Sequence, residues 1–419
     1  MRFDEFSRIF IRAWLPGKHV FGSMDRPKVY YFDCNATTRV APEVVEAMLP
    51  FFHEHWGNPS SAYAFGSNVV QHIAYARRKL AALIHADPRE IIFTSCGTES
   101  NNAAIHSALA SQPGKRHLVT TAVEHSAVLN YCRSLEKQGV TTTYLPVDST
   151  GSLDLSLMEK AIRADTALVS VMYANNETGV VFPIPEIGAI CRKHQVPFHT
   201  DAVQAAGKIP LDVRQLGVDF LSLSAHKLNA PKGIGLLYVG KKTKFAPFVI
   251  GGHQERGRRG GTENVPYIAG FGRAADLALE RLDEENTRVR ELRDILESMI
   301  VQTIPSTRVN GAGAPRLPNT LNVSIDYVEA EALLMLLDQA GICASSGSAC
   351  TTGSLDPSHV LTAMGLTPAQ ARGSLRLSLS VENTLEEVQY LAEQLRQSVQ
   401  RLRSFSPLAQ RGPAMVHAQ

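Results

Sequence analysis

Five polar clusters recur along the chain, each directly after a short strand-like run. Thr94-Ser95-Cys96-Gly97-Thr98-Glu99-Ser100 follows Ile91-Ile92-Phe93, and Ala122-Val123-Glu124-His125 follows Leu118–Thr121. Asn175-Asn176-Glu177-Thr178-Gly179 comes shortly after Ala167–Met172, Asp201-Ala202-Val203-Gln204 after Pro197–Thr200, and Ser224-Ala225-His226-Lys227 after Phe220–Leu223. In open α/β sheets ligands collect beyond the carboxyl ends of the strands, so five clusters at equivalent ends describe one site. Gly97-Thr98 opens a helical stretch, whose free amides and dipole suit a phosphate, although most such starts are simple caps. Ser224 and His226 add donors beside Lys227. A lysine is ordinarily a solvated surface charge, but one so placed can form a Schiff base with an aldehyde cofactor. Asp201 would then pair with a pyridinium nitrogen and make the ring an electron sink; its plain alternative is a helix N-cap. His125 could stack on the ring and move protons, or be a structural histidine. Gln204 and Asn176 are candidate donors to the ring oxygen.

A reactive thiol is expected elsewhere. Ala344–Ser354 is small, polar and rich in glycine and serine, so it reads as a flexible loop carrying Cys350. A thiol on an exposed loop can receive an atom and pass it on, whereas Cys343 reads as the structural alternative. Arg376 interrupts a strand-like run with a fork suited to a substrate carboxylate, or to an interdomain ion pair. Gly251–Asn264 is a basic, glycine-rich loop that would face a phosphate or a second subunit.

The elements that must position these groups alternate from about residue 69 to 239. Val69, Ile73, Ala76, Leu80 and Leu83 recur at helical spacing. The apolar runs named above, with Gly235–Val239, read as strands, and Ser126–Gln138 and Pro185–His194 as helices between them. Such alternation indicates an α/β fold with a mostly parallel sheet covered on both faces. A helix with Val289, Leu292, Ile295, Leu296 and Met299 on one face follows. Beyond it, Thr320–Ile325 and Ser374–Ser380 as strands and Ala330–Ala340 and Leu385–Leu402 as helices form a smaller α+β part.

With 419 residues, 44% hydrophobic and 20% charged, the chain has the composition of a globular protein of two or three domains. Its 42 basic and 40 acidic residues argue against a nucleic-acid binder. No apolar run approaches the roughly 20 residues that span a bilayer. Six cysteines without CxxC spacing argue against a disulfide scaffold, a zinc site or a cluster held by this chain alone, and point to a reducing, cytoplasmic setting. Residues 1–28 read as an extension, with Met24 as an alternative start, and the tail from Ser406 as frayed.

Together the segments TSCGTESNN, VEHSAV, NNETG, DAVQ, SAHK, GGHQERGRRGGTEN and SSGSACTTGSLDPSHV closely resemble the pyridoxal-phosphate-dependent cysteine desulfurases of the NifS/IscS type. The likeness runs from Tyr31 to about Pro407, and several segments are most like the nitrogen-fixation branch, including Gln394–Pro407. It implies a fold-type I, aspartate-aminotransferase-like homodimer: a large cofactor domain over 37–283 and a small α+β domain over 284–405 with 29–36. By position it makes Lys227 the cofactor-bound lysine and Cys350 the nucleophile. Gly97, Thr98, Ser224 and His226 would hold the phosphate, with Thr262 reaching in from the other subunit. Asp201 would pair with the pyridine nitrogen, His125 would stack and Gln204 would reach the phenolic oxygen. Asn176 and Arg376 would grip the substrate.

The activity so implied converts L-cysteine to L-alanine and leaves a Cys350 persulfide. The sulfur would pass to an iron–sulfur scaffold of the NifU/IscU kind, serving cluster assembly and nitrogen fixation. Cys350 could also serve as a transient iron–sulfur ligand shared with that scaffold. Two features depart from the family: Cys34 stands where its D-N-N-A-T-T segment has asparagine, as a bystander or an oxidation liability, and the N-terminal extension has no counterpart. Selenocysteine lyase and cysteine sulfinate desulfinase share the scaffold and are the rival enzymes. An iron–sulfur assembly binding protein and an inactive partner are the rivals of another class.

Overall fold

The computed structural model describes residues 28–346 and 357–405. After a short strand β1 (Tyr30–Tyr31), seven strands follow in order: β2 (Ile91–Thr94), β3 (His117–Thr121), β4 (Thr141–Leu145), β5 (Thr166–Ser170), β6 (Phe198–Asp201), β7 (Phe220–Ser224) and β8 (Gly235–Val239). These seven form one sheet in the order β2-β8-β7-β6-β5-β3-β4. The pairs β3–β4, β3–β5, β5–β6 and β6–β7 are parallel, while β8 runs antiparallel to both neighbours. The sheet is therefore mostly parallel, as expected, with β8 as its reversed strand. The cause of the reversal is the link Ala225–Ile234, a 3₁₀ turn and loop with no crossover helix, which can only return the chain antiparallel.

Successive side chains of a strand point to opposite faces, and the packing separates accordingly. Ile92, Leu118, Leu168, Phe220 and Leu237 pack with residues of helices Gly97–Ala110 and Ser126–Glu136. Phe93, Val119, Val169, Leu221 and Leu236 pack on the other face with residues of helices Val70–Leu83, Ile184–Lys193 and Val265–Glu280. Strands buried on both faces read as continuous apolar runs, which is why most were legible in the sequence. The exception is β4, Thr-Thr-Thr-Tyr-Leu at the sheet edge and mostly half-buried, whose threonines give no apolar run.

A second apolar core gathers Phe32, near the start of the described chain, with Leu292, Leu296, Leu321, Val323, Leu333, Leu375, Leu377, Leu391 and Leu395. Its sheet joins β9 (Thr307–Val309), β10 (Thr320–Ile325), β12 (Ser345–Ser346) and β13 (Ser374–Ser378) in the order β12-β13-β10-β9. β11 (Ile342–Cys343) pairs in parallel with β1. An isolated bridge, Asp33 to Ser378, carries the early segment across to β13, so Asp33–Thr38 is strung between this core and the ends of the large sheet. Among the described residues no helix is long and apolar enough to cross a membrane, and none of their cysteines is paired.

Candidate active site

One cavity of about 300 Å³ lies at the carboxyl ends of the parallel strands. Its wall takes residues from all five polar clusters: Gly97 and Thr98, His125, Asn176, Asp201 with Gln204, and Ser224 with His226 and Lys227. Asn35, Ala36 and Arg376 close it from the side of the second core. Of the twelve residues singled out from the sequence, ten therefore share this wall.

The phosphate-cup end is built by helix Gly97–Ala110, whose first turn presents free amides. Its glycine is steric as well as conformational: a Cβ at Gly97 would lie 3.0 Å from Val203 Cγ2 and 3.4 Å from Ser224 Cβ, filling the cup. His226 Nδ1 lies 3.1 Å from Thr37 Oγ1, and burial, then the neighbouring Lys227 charge, lower its pKa to about 4, so the ring is neutral at physiological pH. At the opposite wall Asp201 is 6% exposed. Its Oδ2 accepts a 2.6 Å hydrogen bond from Asn101 Nδ2 and its Oδ1 accepts from Val203 N at 3.0 Å. Asp201 thus closes a turn, and no regular helix starts there.

Lys227 ends the 3₁₀ turn that follows β7. Its Nζ donates to Asn35 O and, at 2.6 Å, to Ala36 O. Gln204 Nε2 also donates to Asn35 O, at 3.1 Å. His125 Nδ1 accepts from Ala127 N at 3.1 Å, capping the helix it precedes, so in the neutral ring the proton sits on Nε2. Arg376 is 2% exposed and pairs with Asp33 Oδ1 at 2.8 Å, while its Nη1 donates to Asn176 O at 3.1 Å. Its Nε is buried without a partner, so the guanidinium keeps unspent donor capacity at the cavity wall.

Two singled-out residues remain. Cys350 is outside the described residues. Thr262 lines a separate cavity with Ser95, Arg259 and Glu255. Its loop is tied back to the cup: Arg259 Nε donates to Glu99 Oε1 at 2.9 Å, and Arg77 holds Glu255 in a bidentate pair at 2.6 and 2.7 Å. Arg259 is thus paired within the chain, while Arg256 and Arg258 donate to the carbonyls of Ile91 and Arg89. Cys34 is buried and desolvation pushes its thiol up to about 11, which disfavours the reactive thiolate. Cys343 sits half-buried in β11, and burial raises its pKa too.

Asn35, Asn101 and Asp33 went unremarked in the sequence. Asn101 lies four residues beyond Gly97, the same face of the helix, which was the available signal. For Asn35 and Asp33 the signal was only their place in the segment around Cys34, because their approach to Lys227 and Arg376 depends on chain more than 190 residues away in sequence.

The class-V aminotransferase family profile matches residues 30–391. The chain belongs to this family. Family members are pyridoxal-phosphate enzymes, and pyridoxal 5′-phosphate is the cofactor of this chain. A cysteine desulfurase from Nostoc sp. (strain PCC 7120 / SAG 25.82 / UTEX 2576) is 52% identical over 391 residues, 93% of this chain and 98% of the relative. The cysteine desulfurase NifS of Azotobacter vinelandii is 50% identical over 378 residues, 90% and 94% of the two chains. A solved NifS-like protein superimposes with a TM-score of 0.84 at 39% identity, covering 89% of this chain and all of that one. The cavity fits the group: free amides and hydroxyls at one end, a buried carboxylate at the other, a lysine between them, and a cup that one added methyl would obstruct.

Proposed function

We propose that the protein is a cysteine desulfurase that converts L-cysteine to L-alanine and passes the sulfur on as a persulfide of Cys350. The observation that carries this reading is the convergence of Lys227, Asp201, His125 and the Gly97–Ser224 cup on one cavity, in a chain half identical to curated cysteine desulfurases. Pyridoxal phosphate, when bound, supplies an electron sink for the substrate's α-carbon. Gly97, Thr98, Ser224 and His226 hold the phosphate, and Asp201, itself oriented by Asn101, keeps a proton on the pyridine nitrogen. Lys227 would hold the cofactor through its aldehyde carbon, and its Nζ would serve as the base for the substrate's α-proton. His125 would stack on the ring and move protons, and Gln204 would reach the phenolic oxygen. Arg376 and Asn176 hold the substrate carboxylate. The Cys350 thiolate attacks the substrate sulfur: an S–S bond forms, the C–S bond breaks, and its electron pair stays on carbon to be protonated on the way to alanine.

The reading extends to the assembly. Residues 37–283 act as the cofactor domain and 284–405 with 29–36 as the small domain, in a homodimer where Thr262 serves the partner's phosphate. Supporting this, Phe52, Trp56, Tyr63, Phe65 and Ile250 are exposed, and Thr262 does not line the cavity of its own chain. The acceptor is an iron–sulfur scaffold of the NifU/IscU kind, in the cytoplasm, with nitrogen fixation as the served pathway and Cys350 as a passing iron–sulfur ligand. The test is a cofactor absorption spectrum followed by L-cysteine, with alanine and sulfide assayed in wild type, Cys350→Ala and Lys227→Ala. Equimolar alanine and sulfide, lost in both variants, are expected. Alanine made equally well without Cys350 would redirect the assignment to a lyase or desulfinase.

A further inference from the structure

Glu124 lies beside His125 in the connection between β3 and the helix that His125 caps, and it is 0% exposed. One carboxyl oxygen, Oε1, takes two donors from different strands: Thr121 Oγ1 at 2.8 Å, from the end of β3, and Met172 N at 2.9 Å, just past β5. The other, Oε2, is buried with no hydrogen-bond partner. The backbone carbonyl of Glu124 faces His359 Nε2 at 3.0 Å, across from helix His359–Ala363. Met172 and His125 both line the cavity, so Glu124 ties together the two strand ends that set one of its walls.

The groups facing this carboxyl do not welcome a second charge. Asp201, at the end of β6, opposes its ionisation, and Cys132 on the adjoining helix is a further acidic group coupled to it. His359 meets only the backbone carbonyl, with a pKa lowered by burial, and His125 is engaged through Nδ1. No cation among the described residues contributes to holding a negative charge there. Burial of an unpaired carboxylate is costly enough that such groups retain a proton instead.

We propose that Glu124 is a positioning residue for His125 and acts as a neutral carboxylic acid, clamping the β3 and β5 ends while leaving Asp201 the sole negative charge of that wall. This rests on the cofactor-stacking role of His125 given above. Ionisation, centred at about 8, would place a second negative charge beside Asp201 and loosen the clamp on the alkaline side.

Two variants and two readouts test it. Glu124→Gln keeps the neutral shape and the Oε1 acceptor, and Glu124→Ala removes both. In thermal melts of the cofactor-free protein, wild type should lose stability relative to Glu124→Gln as pH rises from about 4.5 through about 8, because the raised acid favours folding only while protonated. A wild-type-minus-Gln difference that stays constant over that range would overturn the neutral-acid assignment, whatever the enzyme's substrate. In the loaded enzyme, Glu124→Ala should lower turnover by at least about tenfold with a smaller change in KM. Glu124→Gln should restore turnover to within about threefold at pH 7 and delete an alkaline limb present in wild type. Wild-type turnover in Glu124→Ala, or the same alkaline limb in Glu124→Gln, would overturn the positioning role. Should the alanine variant fail to fold, the glutamine comparison decides alone. A wild type that binds no pyridoxal phosphate would count against the function and leave the melting test standing.

Discussion

Replacing Gly97 by alanine separates the phosphate cup from the fold that builds it. The new Cβ would stand 3.0 Å from Val203 Cγ2, closer than ordinary van der Waals contact, and 3.4 Å from Ser224 Cβ. Val203 is β-branched and gives little, so the overpacking costs about 1–3 kcal/mol. Alanine is a better helix former than glycine by up to about 1 kcal/mol, which offsets part of that. The net loss of stability is therefore about 0–2 kcal/mol, a shift of no more than about 4 °C in melting midpoint. The cup suffers more, because the methyl occupies the space between the helix amides and Ser224. Losing one charge-assisted hydrogen bond to the phosphate costs about 1.5–3 kcal/mol, which is about 10- to 150-fold in pyridoxal phosphate affinity. The assay is a spectrophotometric titration of the cofactor-free protein, run beside a thermal melt. An unchanged dissociation constant would refute the assignment of Gly97 to the phosphate. A weakened one accompanied by gross loss of the folded state would refute the claim that the defect is local.

Among the described residues, Arg376→Ala leaves Asp33 with only the Ser345 hydroxyl as a side-chain partner. Removing one member of a buried pair costs about 3–5 kcal/mol, to be read in denaturant unfolding, and KM for L-cysteine should rise if Arg376 holds the substrate carboxylate. Glu177, buried and joined to Ser358, has its carboxyl pushed up to about 7 by desolvation. Wild type should therefore lose stability relative to Glu177→Gln as pH rises from about 4.5 through about 7, and melts at pH 5 and 8 that differ equally in the two proteins would contradict this. Cys34, with a pKa near 11, exposes about one thiolate per thousand molecules at pH 8 and is buried besides. Iodoacetamide should leave it unlabelled in the native protein and label it after denaturation, as mass spectrometry would show.

What was legible in the sequence follows a physical division. Strands such as β5 and β7 are buried on both faces, so they appear as mainly apolar runs, and the polar cluster that follows each run must lie beyond its end. That is enough to bring Gly97, His125, Asp201 and Lys227 to one edge of a sheet without any knowledge of strand order. The edge strand β4 escaped, since threonines half in solvent carry no apolar period. So did the direction of β8, which is set by the absence of a crossover helix in a ten-residue link.

The partners that tune the site were hidden for a different reason. Asn101 orients Asp201, Asn35 takes the Lys227 ammonium on its carbonyl, Asp33 balances Arg376, and each of these bonds joins segments at least 100 residues apart. A single sequence records residue types and local spacing; it does not record which distant backbone will come to rest against a given side chain. Glu124 shows the limit most plainly. In the sequence it is one member of the cluster that ends in His125, with no role of its own, and only the closure of two strand ends around it removes water and leaves one oxygen without a partner. The chemistry-bearing residues are thus specified locally by type, while their protonation and orientation are specified by the packing of β3, β5 and β6 against one another.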